Sequence, residues 1–145
     1  KFPGEAPHLP EMKVAVVTCM DCRIDVETML GVEPGQIHVI RNAGGLVTPD
    51  TIRTLTASQR SLGTKYVMLI QHTDCGMSKT DDEAFLAELE KDTGQRPTWK
   101  PGGFKDVRES VRNDMKKLLD SPFVGGTVRG FVLDVKTARL EEVTL

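Results

Sequence analysis

Val14-Ala15-Val16-Val17-Thr18, followed without a break by Cys19-Met20-Asp21-Cys22-Arg23, decides the fold. The first five residues form an unbroken β-branched run with no polar alternation. Such a run suits a strand buried on both faces of a parallel sheet. Side chains that carry chemistry then arrive at the strand's carboxyl end, the edge where ligands gather in open α/β sheets. Two more segments repeat this arrangement. Ile37-His38-Val39-Ile40 leads into Arg41-Asn42-Ala43-Gly44-Gly45, and Tyr66-Val67-Met68-Leu69-Ile70 leads into His72-Thr73-Asp74-Cys75-Gly76. A fourth strand is read over residues 128–135, interrupted by Gly130, and a short edge strand over 140–143 after a turn.

Helical patterns lie between the strands. Pro49-Asp50 opens a segment that runs to Leu62 and stops at Gly63. Thr80-Asp81-Asp82-Glu83 has the capping-box pattern, and its helix is expected to stop near Gly94. Val107, Val111, Met115 and Leu118 recur at helical spacing and predict a helix over 104–119. The alternation predicts an α/β single domain with a mostly parallel β-sheet of four to five strands flanked by helices. Residues 1–12, with three prolines, read as an N-terminal arm, and residues 13–145 as the folded domain.

The chain's 145 residues suit one hydrophobic core. Hydrophobic residues make up 39% and charged residues 28%, with a formal net charge of −2. That balance predicts no nucleic-acid partner and no anionic-membrane surface. No apolar run is long enough to span a bilayer. Three cysteines argue against a disulfide framework and for a reducing, cytoplasmic setting in which thiols are kept for chemistry.

Zinc prefers thiolate and imidazole ligands, and a catalytic zinc keeps one position for water or substrate. His72 and Cys75 are spaced so that one turn brings both to a single ion. If their strand neighbours the one that ends at Cys19, Cys19 converges with them. The competing reading of Cys19-x-x-Cys22 as a redox pair is disfavoured, because Asp21 inside it raises a thiol pKa instead of lowering it. A second alternative, two buried cysteines and a satisfied core histidine, leaves their shared position at strand ends without a reason. The Gly44-Gly45 pair reads either as a tight turn or as a substrate-binding loop whose N–H groups polarise an oxygen. Arg41 is expected in a structural ion pair and His8 and His38 in packing or surface roles. Met68 and Met115 are expected to fill core, and no role follows for Trp99.

Cys19-Met20-Asp21-Cys22-Arg23, Arg41-Asn42-Ala43-Gly44 and His72-Thr73-Asp74-Cys75-Gly76 resemble, in order and spacing, the signature segments of β-class carbonic anhydrases. The similarity is closest to the short bacterial type and runs from about Val14 onward. It implies a β-carbonic-anhydrase-like fold and zinc-dependent reversible hydration of carbon dioxide to bicarbonate. It also implies Zn²⁺ bound by Cys19, His72 and Cys75, a flanking catalytic pair of Asp21 and Arg23, and a homodimer or higher homo-oligomer. Asp21 either reaches the metal or is held away by Arg23. Two features depart from the family pattern: Cys22 stands where Ser or Ala is usual, and only 18 residues precede Cys19. Related enzymes that hydrolyse carbonyl sulfide or carbon disulfide share the site, so such a hydrolase is the alternative activity. A zinc-stabilised binding module is the alternative of another class, and it leaves Asp21 and Arg23 without a purpose.

Overall fold

The computed structural model describes Gly4 and residues 8–145. β1 (Val14–Cys19), β2 (Ile37–Asn42), β3 (Tyr66–His72) and β4 (Thr127–Asp134) are parallel neighbours in the order β2-β1-β3-β4. β5 (Arg139–Val143) pairs antiparallel with β4 and ends the sheet. The five-strand, mostly parallel sheet is the one expected. Residues 15–19 of β1 are all buried, as its unbroken apolar run requires.

Two long helices cover one face. α2 (Pro49–Arg60) lies against β1 and β2, and α4 (Val107–Asp120) lies against β3, β4 and β5. Ala15, Val17, Leu55, Val67, Leu69, Val111, Met115 and Leu118 form the core there. Gly130, the break in the fourth apolar run, has a reason in this packing. A Cβ on it would lie 2.5 Å from both Val111 and Met115 of α4, so its missing side chain sets how closely that helix approaches. The opposite face is covered by the five-residue α1 (Val26–Leu30) and by loops, over Val16, Ile24, Val26, Ile70 and Leu133. Met68 packs at the edge of this second core and is only partly buried.

The helices differ from expectation at their ends. α1, capped by Asp25 and stopped by left-handed Gly31, is too short to show periodicity. α3 (Asp82–Thr93) is capped by Asp81, because Thr80 donates its hydroxyl to Gly76 O in the preceding 3-10 turn, Gly76–Lys79. α4 starts at Val107 behind the Asp106 cap, while Phe104 donates its N–H to Met77 O. α2 stops at Arg60, two residues short of Leu62, with Gly63 at positive φ behind it. Of the N-terminal arm, residues 1–3 and 5–7 lie outside the described residues. Glu11 and Met12 donate to Gly35 O and Gln36 O.

Candidate metal centre

β1 and β3 are adjacent, so their carboxyl ends bring Cys19 and His72 side by side. Cys75 follows one turn after His72, at the start of the 3-10 turn. All three side chains are buried, and their ligand atoms lie within 4.8 Å of one another. The sulfurs of Cys19 and Cys75 are 4.0 Å apart. Two thiolates bound to one tetrahedral zinc at about 2.3 Å are separated by roughly 3.8 Å. His72 Nδ1 is 2.7 Å from the carbonyl of Thr73, which can only accept, so Nδ1 carries the proton. Among the described residues Nε2 is buried without a hydrogen-bond partner. A buried, orphaned imidazole nitrogen facing two sulfurs fits a metal ion and little else.

The surroundings favour a cation. The hydrogen bond from Cys75 is the main cause that lowers the Cys19 pKa, and the N–H groups of Asp21 and Gly44 add to it. Cys75, beside that anion and buried, is pushed up. Burial opposes a charged His72, but the Cys19 sulfur, the Thr73 carbonyl and the Asp21 carboxylate outweigh it and raise its pKa. A divalent ion would relieve the crowding of negative groups.

Asp21 is held by Arg23, not by the cluster. Arg23 donates from Nε and its own backbone N–H to Oδ1, at 3.0 and 2.8 Å, and from Nη2 to Oδ2 at 2.6 Å. These bonds keep the Asp21 carboxyl well below the usual carboxylate range. Asp21 Oδ2 still lies 3.8 Å from His72 Nε2, at the mouth of the cluster. Arg23 also reaches the third segment, with Nη1 3.1 Å from Asp74 Oδ2 and Nη2 2.9 Å from Asp74 O. Asp74 was not singled out in the sequence; it adopts positive φ and is paired with Lys79 as well.

One other expectation changes. Among the described residues Arg41 forms no ion pair: it donates to the carbonyls of Cys19, Asp21 and Ile24 at 2.8, 2.7 and 2.9 Å, clamping the loop after β1. The Gly45 N–H donates to Asn42 O at 3.4 Å, and the Gly44 N–H is directed toward Cys19 and helps to lower its pKa. Gly45 is required sterically. Its φ is +65°, and a Cβ on it would lie 2.7 Å from the Thr18 carbonyl carbon. Cys22 is exposed and outside the cluster. His38 is half-buried against Ser58 and Met115 is buried, while Trp99 is exposed, far from burial in any core.

A parallel sheet carrying a buried Cys-His-Cys cluster with an arginine-clamped aspartate beside it defines a metal-dependent α/β enzyme. The family model for carbonic anhydrase matches residues 14–140. Beta-carbonic anhydrase 1 of Mycobacterium tuberculosis is 48% identical over 145 residues, covering 99% of this chain and 89% of that protein. A carbon disulfide hydrolase of Acidianus sp. is 31% identical over 154 residues, covering 88% of this chain and 75% of its own. The crystal structure of a carbonic anhydrase from Streptococcus mutans superposes with a TM-score of 0.90 at 39% identity, covering 95% of this chain and 85% of that one. The chain belongs to the β-class carbonic anhydrase family and is a carbonic anhydrase. No helix among the described residues is long and apolar enough to cross a membrane.

Proposed function

We propose that the hydration of carbon dioxide by this chain runs at a zinc ion held by Cys19, His72 and Cys75, with Asp21 and Arg23 as the catalytic pair. The observation that carries this reading is the orphaned Nε2 of His72, facing two sulfurs 4.0 Å apart. When bound, zinc supplies a Lewis acid that brings the ionisation of water toward neutral pH. Asp21 Oδ2 accepts a hydrogen bond from the attacking water and turns its lone pair toward the carbon of carbon dioxide. Arg23 keeps that carboxylate ionised and fixed, through two guanidinium bonds and its own N–H. Oxygen adds to carbon, one C=O bond becomes C–O⁻, bicarbonate leaves, and one proton passes to solvent. Gly44 contributes indirectly, by aiming its N–H at Cys19, and Gly45 by letting that loop lie against β1.

The described residues also support pairing of two copies. One face of the sheet has no long helix, and Val14, Met68, Phe131 and Leu140 are only partly buried there, with Tyr66 48% exposed. A second copy of this chain covering that face is the proposed homodimer. Two metal-binding thiols and the exposed Cys22 suit a reducing, cytoplasmic setting.

Metal analysis and stopped-flow carbon dioxide hydration test the reading. One zinc per chain is expected, lost in Cys75→Ser and His72→Ala. Full zinc occupancy in either variant overturns the ligand set, and carbon disulfide hydrolysis without carbon dioxide hydration overturns the substrate. Light scattering at micromolar concentration that gave a mass of 16.0 kDa would overturn the dimer.

A further inference from the structure

A carboxylate with no part in the chemistry above lies on the far side of the sheet from α1. Asp114, on α4, is 3% exposed, yet it sits in the apolar layer between α4 and the sheet. A single oxygen, Oδ2, accepts two hydrogen bonds: from the backbone N–H of Val47 at 3.0 Å and from Gln71 Nε2 at 2.9 Å. Its other oxygen faces Lys117 Nζ at 3.4 Å. Burial pushes the Asp114 carboxyl up, against the pull of Val47 and Lys117, so packing alone would favour an apolar residue here.

The two donors belong to two different parts of the metal centre. Gln71 is fully buried and immediately precedes His72, and its Oε1 has no partner, so the bond to Asp114 is its one described side-chain tie. Val47 ends the loop that begins at Gly44, whose N–H is aimed at Cys19. Asn42 closes that loop on itself, accepting from Leu46 N at 2.8 Å and donating to Leu46 O at 2.9 Å. Val47 is where the loop is tied to α4.

We infer that Asp114 is a positioning residue for the reaction: one buried oxygen on α4 locks the Gly44–Val47 loop and the end of β3 in a common register. With that oxygen in place, the Gly44 N–H points at Cys19 while His72 points at the cluster. Without it, a buried amide and a buried N–H lose their shared acceptor, and each segment is free to shift separately. The inference rests on the metal-centre reading above.

The test compares Asp114→Ala with Asp114→Asn. Asparagine keeps one oxygen where both donors converge, whereas alanine removes it. Asp114→Ala is expected to lower kcat by about tenfold, as loss of a partner outside the ligand shell does. KM is expected to change by less than about twofold, since the loss acts on the reacting geometry and not on uniform binding. In the metal-free protein, amide hydrogen exchange over residues 44–47 is expected to accelerate. Asp114→Asn is expected to retain kcat and slow exchange. A folded Asp114→Ala protein with the parent kcat and exchange, or an Asp114→Asn protein as impaired as the alanine variant, overturns the inference. If Asp114→Ala does not fold, Gln71→Met removes only the β3 link. A lowered kcat at an unchanged urea midpoint then supports the inference, and an unchanged kcat overturns it. Metal stoichiometry of the unaltered protein tests the ligand reading by itself, whereas the ratio of the alanine to the asparagine variant tests Asp114 whatever ion is bound.

Discussion

The carboxyl edge of β1, β2 and β3 and the excursion over residues 82–103 are built on opposite terms. At the edge, polar groups are engaged across elements: Arg41 satisfies three carbonyls, Arg23 bridges Asp21 and Asp74, and Asn42 brackets Leu46. In the excursion, α3 has no buried residue, and Phe85 and Trp99 are 41% and 57% exposed. It is fixed mainly at its root, where Asp82 accepts from Gly103 N at 2.7 Å and Gly103 packs so closely that a Cβ would meet Thr80 O. The contrast teaches where geometry is over-determined in this enzyme, and therefore where a small change propagates.

The sharpest test of that contrast is Gly45→Ala. The new methyl would press on the backbone of Thr18 and Cys19, at a positive φ that alanine resists. A loss of about 3 kcal/mol or more is expected from overlap and strain together, read as a urea midpoint, with metal binding weakened in parallel. A protein of parent stability would show that the edge yields more than its packing implies.

Arg23→Ala comes next. Loss of a second-layer clamp of this kind is expected to cost about 10- to 100-fold in turnover with the ion still bound, measured by stopped-flow assay and metal content. Its stability effect has a definite sign with pH. Arg23 is the main reason the Asp21 carboxyl is depressed below its ordinary value of 3.8. A depressed carboxylate stabilises the fold above its unfolded pKa, and that contribution fades as pH falls through the folded one. The gap in urea midpoint between parent and Arg23→Ala is therefore expected to be wider near about pH 7 than near about pH 3. A gap that widens on acidification breaks the argument.

Arg41→Ala removes the donor to three carbonyls and is expected to cost about 1–3 kcal/mol, with thermal or urea unfolding as the measure. At the bottom of the scale, Trp99→Ala in the excursion is expected to stay within about 0.5 kcal/mol of the parent and to leave turnover unchanged. If Trp99→Ala outweighs Arg41→Ala, the excursion is not the loosely tied region its exposure describes.

The same contrast explains what could be read from the amino-acid order. β1 and β3 were legible because burial on both faces demands uninterrupted apolar runs, which few other elements produce. Cys19, His72 and Cys75 were legible because each lies just beyond such a run, in a spacing one turn can close. The Arg41 clamp was not, since its partners are backbone carbonyls from residues 17 to 22 positions away and leave no side-chain signature. Asp114 read as one more charge on an amphipathic helix, because nothing local says that Val47 and Gln71 will converge on it. Cap positions slipped by one to three residues where tertiary hydrogen bonds, such as Thr80 to Gly76 and Phe104 to Met77, took over the chain ends.

The strand order β2-β1-β3 also has a consequence in time. Cys19 and Cys75 meet although they lie 56 positions apart in the chain. At roughly 5–20 residues per second of synthesis, Cys19 waits roughly 3 to 11 seconds before its partner has even been made. During that interval it is an ordinary unshielded thiol with Cys22 three positions away. Only closure of β3 onto β1 takes it out of reach of oxidants, so the redox state of the surroundings matters most to the nascent enzyme and least to the finished one.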